Sequence, residues 1–214
     1  MKASATVTDH SPSMTRHPAP GTTRGVVLML HGGKARGHTI VDNRSASWRR
    51  SAAMARSIAG TAGEAGAAVW LLRYRHRGWN GGHGPVEDAR WALDQVRAEH
   101  GEVPTVLLGH SMGARTSIHV ADHPLVRGVV ALAPWFTDAE PVGALAGKRL
   151  VAAHGSRDRI TSARATRAFV QRVRSAGADA AYVDMGPVGH YMLRRVSAWN
   201  DVAVGRSLEL LDSR

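Results

Sequence analysis

The chain has 214 residues, long enough for one well-buried domain, and no Pro/Gly/Ser-rich linker divides it. It contains no cysteine, which excludes disulfides, thiolate metal sites and a cysteine nucleophile together while leaving the redox compartment open. The formal net charge of +11 invites a nucleic-acid reading, but all basic residues except Lys2, Lys34 and Lys148 are arginine. They are spread over every expected helix, with no basic run interleaved with aromatics and no helix-turn-helix, RRM or zinc pattern. The expectation is a solvated arginine-rich surface with no specific nucleic-acid partner, leaving a preference for anionic substrates open.

Residues 1–23 mix Ser, Thr, Pro and His without apolar periodicity and read as a flexible tail ahead of a single domain over 24–214. Met14 is an alternative start within that tail. The tail has no apolar stretch of signal-peptide length, and no segment approaches the roughly 18 apolar residues of a spanning helix. A soluble, cytoplasmic chain without a membrane span is therefore expected.

From Gly25 onward, short apolar runs alternate with longer amphipathic segments, the pattern of a mostly parallel sheet covered by helices on both faces. Six strands are predicted, at 26–30, 68–74, 105–109, 128–133, 149–154 and 180–185, each short and nearly continuously apolar. Between them, helices are predicted over 48–64, 86–100, 112–123, 162–176 and about 190–211. The third ends before Pro124 and the fourth at Gly177. The fold class is doubly wound α/β with about six strands.

The segment "GHSMG", Gly109 to Gly113, follows a predicted strand and opens a predicted helix, the context a G-x-S-x-G nucleophile elbow requires. Such a turn holds the serine in strained backbone geometry, and side chains larger than hydrogen at Gly109 and Gly113 would collide with sheet or helix. Ser111 then needs a base to accept its proton, and the base needs a carboxylate to orient it. In chain order Ser, Asp, His, the candidates are Asp158, just past the strand ending at His154, and His190, just past the last strand. All three fall at the carboxyl ends of parallel strands, where α/β folds build their sites. Asp158 also suits a plain turn or helix-capping role, and His190 a capping role. Asp138 is the second candidate for the acid. His83 is the second candidate for the base, although it precedes the serine.

"HGGKARG", His31 to Gly37, leaves the first predicted strand. The N–H groups of Gly33 and Met112 are the candidate oxyanion donors, each worth on the order of 3 kcal/mol of transition-state stabilisation. His31 reads as structural. Trp135, Phe136, Tyr191 and Met192 are candidates to line an acyl pocket, with ordinary core packing as the other reading. Lys34 and Arg36 flank the oxyanion loop and are candidates to favour an anionic substrate, with solvated surface as the other reading.

Together the "HGG" loop, the "GHSMGA" elbow, the "HGSRDRIT" turn and the "GHYM" turn resemble the α/β-hydrolase superfamily over Gly25 to about Leu211. The resemblance is to its small serine esterase, lysophospholipase and serine-aminopeptidase-like branches. It implies a Ser111–His190–Asp158 triad acting on small or soluble acyl esters through an acyl-enzyme, with no cofactor and no metal. Thioesterase or peptidase activity is a variant of the same reading. A hydrolase-fold protein that binds a ligand or partner without turnover is the alternative. Only about a dozen residues separate Trp135 from Lys148, too few for a helical lid, so an open site is expected.

Overall fold

The computed structural model of the chain describes residues 11–213. Its seven strands are β1 Ser13–His17, β2 Gly25–Leu30, β3 Ala67–Arg73, β4 Thr105–His110, β5 Val126–Leu132, β6 Arg149–His154 and β7 Asp179–Asp184. They form one sheet in the order β1-β3-β2-β4-β5-β6-β7, antiparallel only where β1 joins β3. The helices are α1 Ala46–Glu64, α2 His83–His100, α3 Met112–His119, α4 Ala163–Ser175 and α5 Val196–Asp212.

Side chains alternate across a strand, and the two core clusters show it. Val26, Leu28 and Leu30 of β2 face a core closed by Leu93 of α2, Ile118 of α3 and Phe169 of α4. Val27 and Met29 face the opposite core, closed by Ile58 of α1 and Trp199 of α5. Helices therefore cover both faces, and strands β2 to β6 are buried on both, which is why they read as continuous apolar runs, while β7 at the edge is only partly buried. Among the described residues, no helix is long and apolar enough to cross a membrane.

The sheet has one strand more than the six expected, and it lies in the segment read as tail. β1 pairs with β3 from Ser13↔Arg73 to His17↔Val69. An edge strand buries one face only, so it needs no apolar run. Met14 packs on the core, and the Arg16 guanidinium lies 4.5 Å over the Trp70 ring. Ala19 is buried and Pro20 packs beside Gly63 of α1, so ordered chain extends beyond the strand. The remainder of the predicted tail, residues 1–10, lies outside the described residues.

Helix boundaries also differ, two of them by four residues or more. α3 stops at His119 rather than His123, and α5 begins at Val196 rather than near His190. The second difference matters more, because residues 185–195 form a loop that carries His190.

The strand order reverses at β2, which has β3 on one side and β4 on the other. Such a switch point leaves a crevice at the carboxyl ends of the strands. The register Leu30↔Gly109 sets the loop after β2 directly beside the turn after β4.

Candidate active site

Ser111 sits between β4 and α3 with φ 54° and ψ −114°, a strained conformation for a residue with a side chain. Its neighbours explain why the turn can be so tight. A Cβ on Gly113 would run into the Leu30 carbonyl, and one on Gly109 into the backbone of Ala114. The elbow is thus packed against β2 and its own helix, and Ser111 is held at the crevice.

His190 Nε2 lies 3.0 Å from Ser111 Oγ, and His190 Nδ1 lies 2.8 Å from Asp158 Oδ2. With Nδ1–H donating to the carboxylate, Nε2 keeps the lone pair that accepts from the serine hydroxyl. Asp158 Oδ1 accepts from the N–H groups of Ile160 (2.8 Å) and Thr161 (2.9 Å), so the residue also builds the turn. The helix cap is a different residue: Ser162 Oγ accepts from the Ala165 N–H. Burial works against ionisation of Asp158. Hydrogen bonds from His154, His190 and the Thr161 and Ile160 N–H groups outweigh it and hold the carboxyl well below the usual carboxylate range.

Three further contributors lie inside the "GHSMGA" and "HGSRDRIT" segments, where the sequence reading assigns them no role. His154, at the end of β6 and fully buried, lies with Nε2 3.1 Å from Asp158 Oδ2 and Nδ1 2.8 Å from Thr166 Oγ1. Thr161 donates its hydroxyl to Asp158 Oδ2 at 2.9 Å and lies 3.1 Å from His190 Nδ1. His110 stacks on His190 with ring centroids 5.0 Å apart, and its Nε2 lies 3.1 Å from the His190 carbonyl oxygen. The signal that could find them is position: polar residues at the carboxyl end of a buried strand or in the turn beyond it.

On the other side of Ser111 is the loop after β2. His31 is buried; its Nε2 accepts from the Tyr74 N–H, so Nδ1–H donates to the Gly32 carbonyl at 2.6 Å. Because the peptide is trans, the Gly33 N–H points away from that carbonyl. Neither it nor the Met112 N–H, at the first position of α3, has a protein acceptor among the described residues. A Cβ on Gly33 would lie 2.5 Å from Met112 Sδ, which shows how closely the two segments abut.

A cavity of about 350 Å³ opens over these groups, lined by Gly32, Gly33, Ser111, His190 and Tyr191, with Arg50 and Leu193 at its side. Ile160, Tyr191 and Leu193 are 62%, 60% and 72% exposed, and all three line it. Arg50 donates to the carbonyls of Tyr191 (3.1 Å) and Met192 (2.9 Å), tying the His190 loop to α1.

Other candidates lie elsewhere. Phe136 is buried against Phe169, ring centroids 4.3 Å apart. Trp135 packs on the Arg115 guanidinium, which stacks on Trp79 as well and pairs with Glu140 at 2.7 Å. Proximity to a strand end suggests both aromatics for the pocket, yet the chain turns them into this staple of the short loop after β5. Met192 is buried in the core under α5. Lys34 is exposed and exchanges backbone hydrogen bonds with Arg77 and Trp79, outside the cavity lining, and Arg36 is exposed. Asp138 is exposed, and His83 is 85% exposed beside Glu87. Among the described residues no cluster of His, Asp or Glu is arranged to hold a metal.

A family model described as serine aminopeptidase, S33, matches residues 73–153, which include the elbow but neither Asp158 nor His190. No curated protein matches the chain's sequence. Among solved structures, a lidless α/β serine hydrolase from Xanthomonas campestris is similar with TM-score 0.70 and 16% identity, covering 95% of this chain and 91% of that one. An α/β serine hydrolase homologue from Coxiella burnetii gives 0.69 and 19%, covering 91% and 90%. Est1E from Butyrivibrio proteoclasticus, with ferulic acid bound, gives 0.68 and 12%, covering 94% and 96%. The chain thus has the α/β-hydrolase fold, and its segment 73–153 matches the serine aminopeptidase, S33, family model.

Proposed function

We propose that the chain is a serine hydrolase of carboxylic esters, with Ser111 as nucleophile, His190 as general base and Asp158 as its orienting carboxylate. The observation that carries the reading is the run of hydrogen bonds from Ser111 Oγ to His190 Nε2 (3.0 Å) and from His190 Nδ1 to Asp158 Oδ2 (2.8 Å). Ser111 Oγ attacks the ester carbonyl carbon while its proton passes to His190 Nε2. The resulting oxyanion faces the unclaimed N–H groups of Gly33 and Met112. Collapse of the tetrahedral species breaks the bond to the alkoxide, which takes the proton back from His190. Water then attacks the acyl-Ser111 carbonyl, giving its proton to His190, and Ser111 leaves with it to release the carboxylic acid.

An ester is favoured over a lipid held under a lid because only a short loop with one 3-10 turn, Gly143–Leu145, lies between β5 and β6. The exposed rim of Ile160, Tyr191 and Leu193 offers apolar surface to an acyl or aryl group. One of the structures sharing the fold is an acetyl ester-xyloside bifunctional hydrolase, which suits a small soluble ester.

The test is labelling by a fluorophosphonate probe, together with a chromogenic ester panel of graded acyl length on wild type and Ser111→Ala. Rapid labelling and turnover that both vanish in Ser111→Ala are expected. A folded wild type that neither labels nor turns over any ester would replace this reading with that of a non-catalytic binding protein.

A further inference from the structure

Beside the Ser111 cavity runs a second groove, about 510 Å³, which shares Ala46, Arg50 and Leu193 with it. Its wall is one face of α1. Ala46, Arg49, Arg50, Ala53 and Arg56 recur at helical spacing, so small residues open the groove and guanidinium groups line it. The floor includes Trp48, whose ring carries the Arg73 guanidinium 3.9 Å above it.

What distinguishes these four arginines is the character of their partners. Arg50 donates to two backbone carbonyls and Arg73 to Asn43 Oδ1 at 2.7 Å, all neutral acceptors. Arg49 and Arg56 have no side-chain hydrogen bond or ion pair among the described residues. Among the described residues no carboxylate lines the groove, and Asp42, next to Asn43, is engaged by Arg77 at 2.8 Å and by Ser45. In a chain with 28 basic and 17 acidic residues, an unpaired arginine is ordinary. Three lining one groove that joins the nucleophile's cavity, with Arg73 on the ring of its Trp48, make a local positive field, which low-dielectric walls focus.

We propose that this groove binds an oxyanion, a carboxylate or phosphate remote from the scissile carbonyl, so that the substrate is an anionic ester. The proposal rests on the hydrolase reading for the position of the carbonyl at Ser111. Guanidinium groups suit the ligand because their planar donor forks match both oxyanions. Leu193 and Ala46, common to both cavities, would contact the uncharged span between ester and anion.

The experiment compares kcat/KM for matched pairs: mono-4-nitrophenyl glutarate against its methyl-capped diester, and 4-carboxyphenyl acetate against its methyl ester. The first pair places the charge on the acyl side and the second on the alcohol side. In at least one pair the anion should be preferred by roughly tenfold at low salt, mainly through KM. That ratio should fall toward parity in R49Q/R56Q and as ionic strength rises. Parity in both pairs for wild type, or a preference unchanged in R49Q/R56Q, overturns the proposal.

A second measurement needs no turnover. Glutarate and inorganic phosphate are titrated separately into Ser111→Ala by calorimetry, with and without R49Q/R56Q. Arginine-dependent binding of either supports the groove even if fluorophosphonate labelling fails and the hydrolase reading falls. Absence of binding by both, with labelling of wild type intact, overturns the groove and leaves the hydrolase reading standing.

Discussion

His154 and His190 meet the same oxygen of Asp158: His154 Nε2 at 3.1 Å and His190 Nδ1 at 2.8 Å. The carboxylate is therefore shared between the proposed base and a fully buried second histidine. Every donor that draws on Asp158 Oδ2 lowers the negative potential left for His190. Replacing His154 by phenylalanine keeps the buried ring and removes the donor. More negative charge then faces His190, its protonated form is favoured, and a higher pH is needed to free the base. The expected result is a kcat/KM reduced by about tenfold, with the pH midpoint of its acidic limb moved up by about half a unit. A pH–rate profile checks this, and H154N should restore part of the midpoint by offering an N–H. A drop in rate with the midpoint fixed would reduce His154 to packing.

His190 and His83 give a sharper contrast. His190 is buried in contact with Ser111 and Asp158, while His83 is solvated at the start of α2. His190→Ala should lower kcat by roughly three to six orders of magnitude, as removal of a member of such a unit does. His83→Ala should change it less than about twofold. Steady-state kinetics on a chromogenic ester, with thermal melts as the folding control, decide it. Equal losses would mean that the base is not His190.

Much of this architecture can be read directly from residue order. Strands β2 to β6 are visible because burial on both faces leaves each as an apolar run, and "GHSMG" is visible because its glycines answer backbone collisions. Chain order and strand ends single out Ser111, Asp158 and His190, and the structure brings their side chains into hydrogen-bonding distance. What stays hidden lacks a local signature. β1 has one half-solvated face, so "SMTRH" looks like any polar segment until β3 offers it partners. The cavity walls come from α1 and from the loops after β6 and β7, so Arg50, Ile160 and Leu193 meet only in three dimensions. Phe136 and Trp135 sit near a strand end in sequence, but their direction is set by Phe169 and Arg115.

Two glycines should respond in opposite directions to the same change. A methyl group on Gly113 has nowhere to go, since backbone of Leu30 and His31 occupies its place. Gly113→Ala should destabilise the fold by about 3 kcal/mol or more, because β2 must shift. Gly60 lies exposed within α1, and a methyl group there would meet nothing within 4 Å. Gly60→Ala should stabilise by about 0.5–1 kcal/mol, through the lower entropy of the unfolded chain. Urea denaturation of both variants checks the signs, and a neutral Gly113→Ala would contradict the close packing of elbow on β2.

Acid should weaken the fold well before the carboxylates titrate. Burial holds the His31 imidazole down at about 4 and that of His110 at about 3. In the unfolded chain both bind a proton near an ordinary value of about 6.5. Between that value and the folded ones the unfolded state carries more protons, so stability falls as pH drops. At pH 5 each group should have cost about 2 kcal/mol relative to neutral pH. His17 and His123 shift in the same direction, chiefly through burial. Asp158 adds nothing to this slope: its folded pKa is depressed, so its contribution is complete above the unfolded value of about 3.9 and is lost only below it. Urea midpoints at pH 7 and pH 5 should therefore separate clearly for wild type. They should separate less for H31N and less again for H31N/H110N, whatever those variants lose at neutral pH. An equal separation in all three would mean that neither imidazole is kept neutral by the fold.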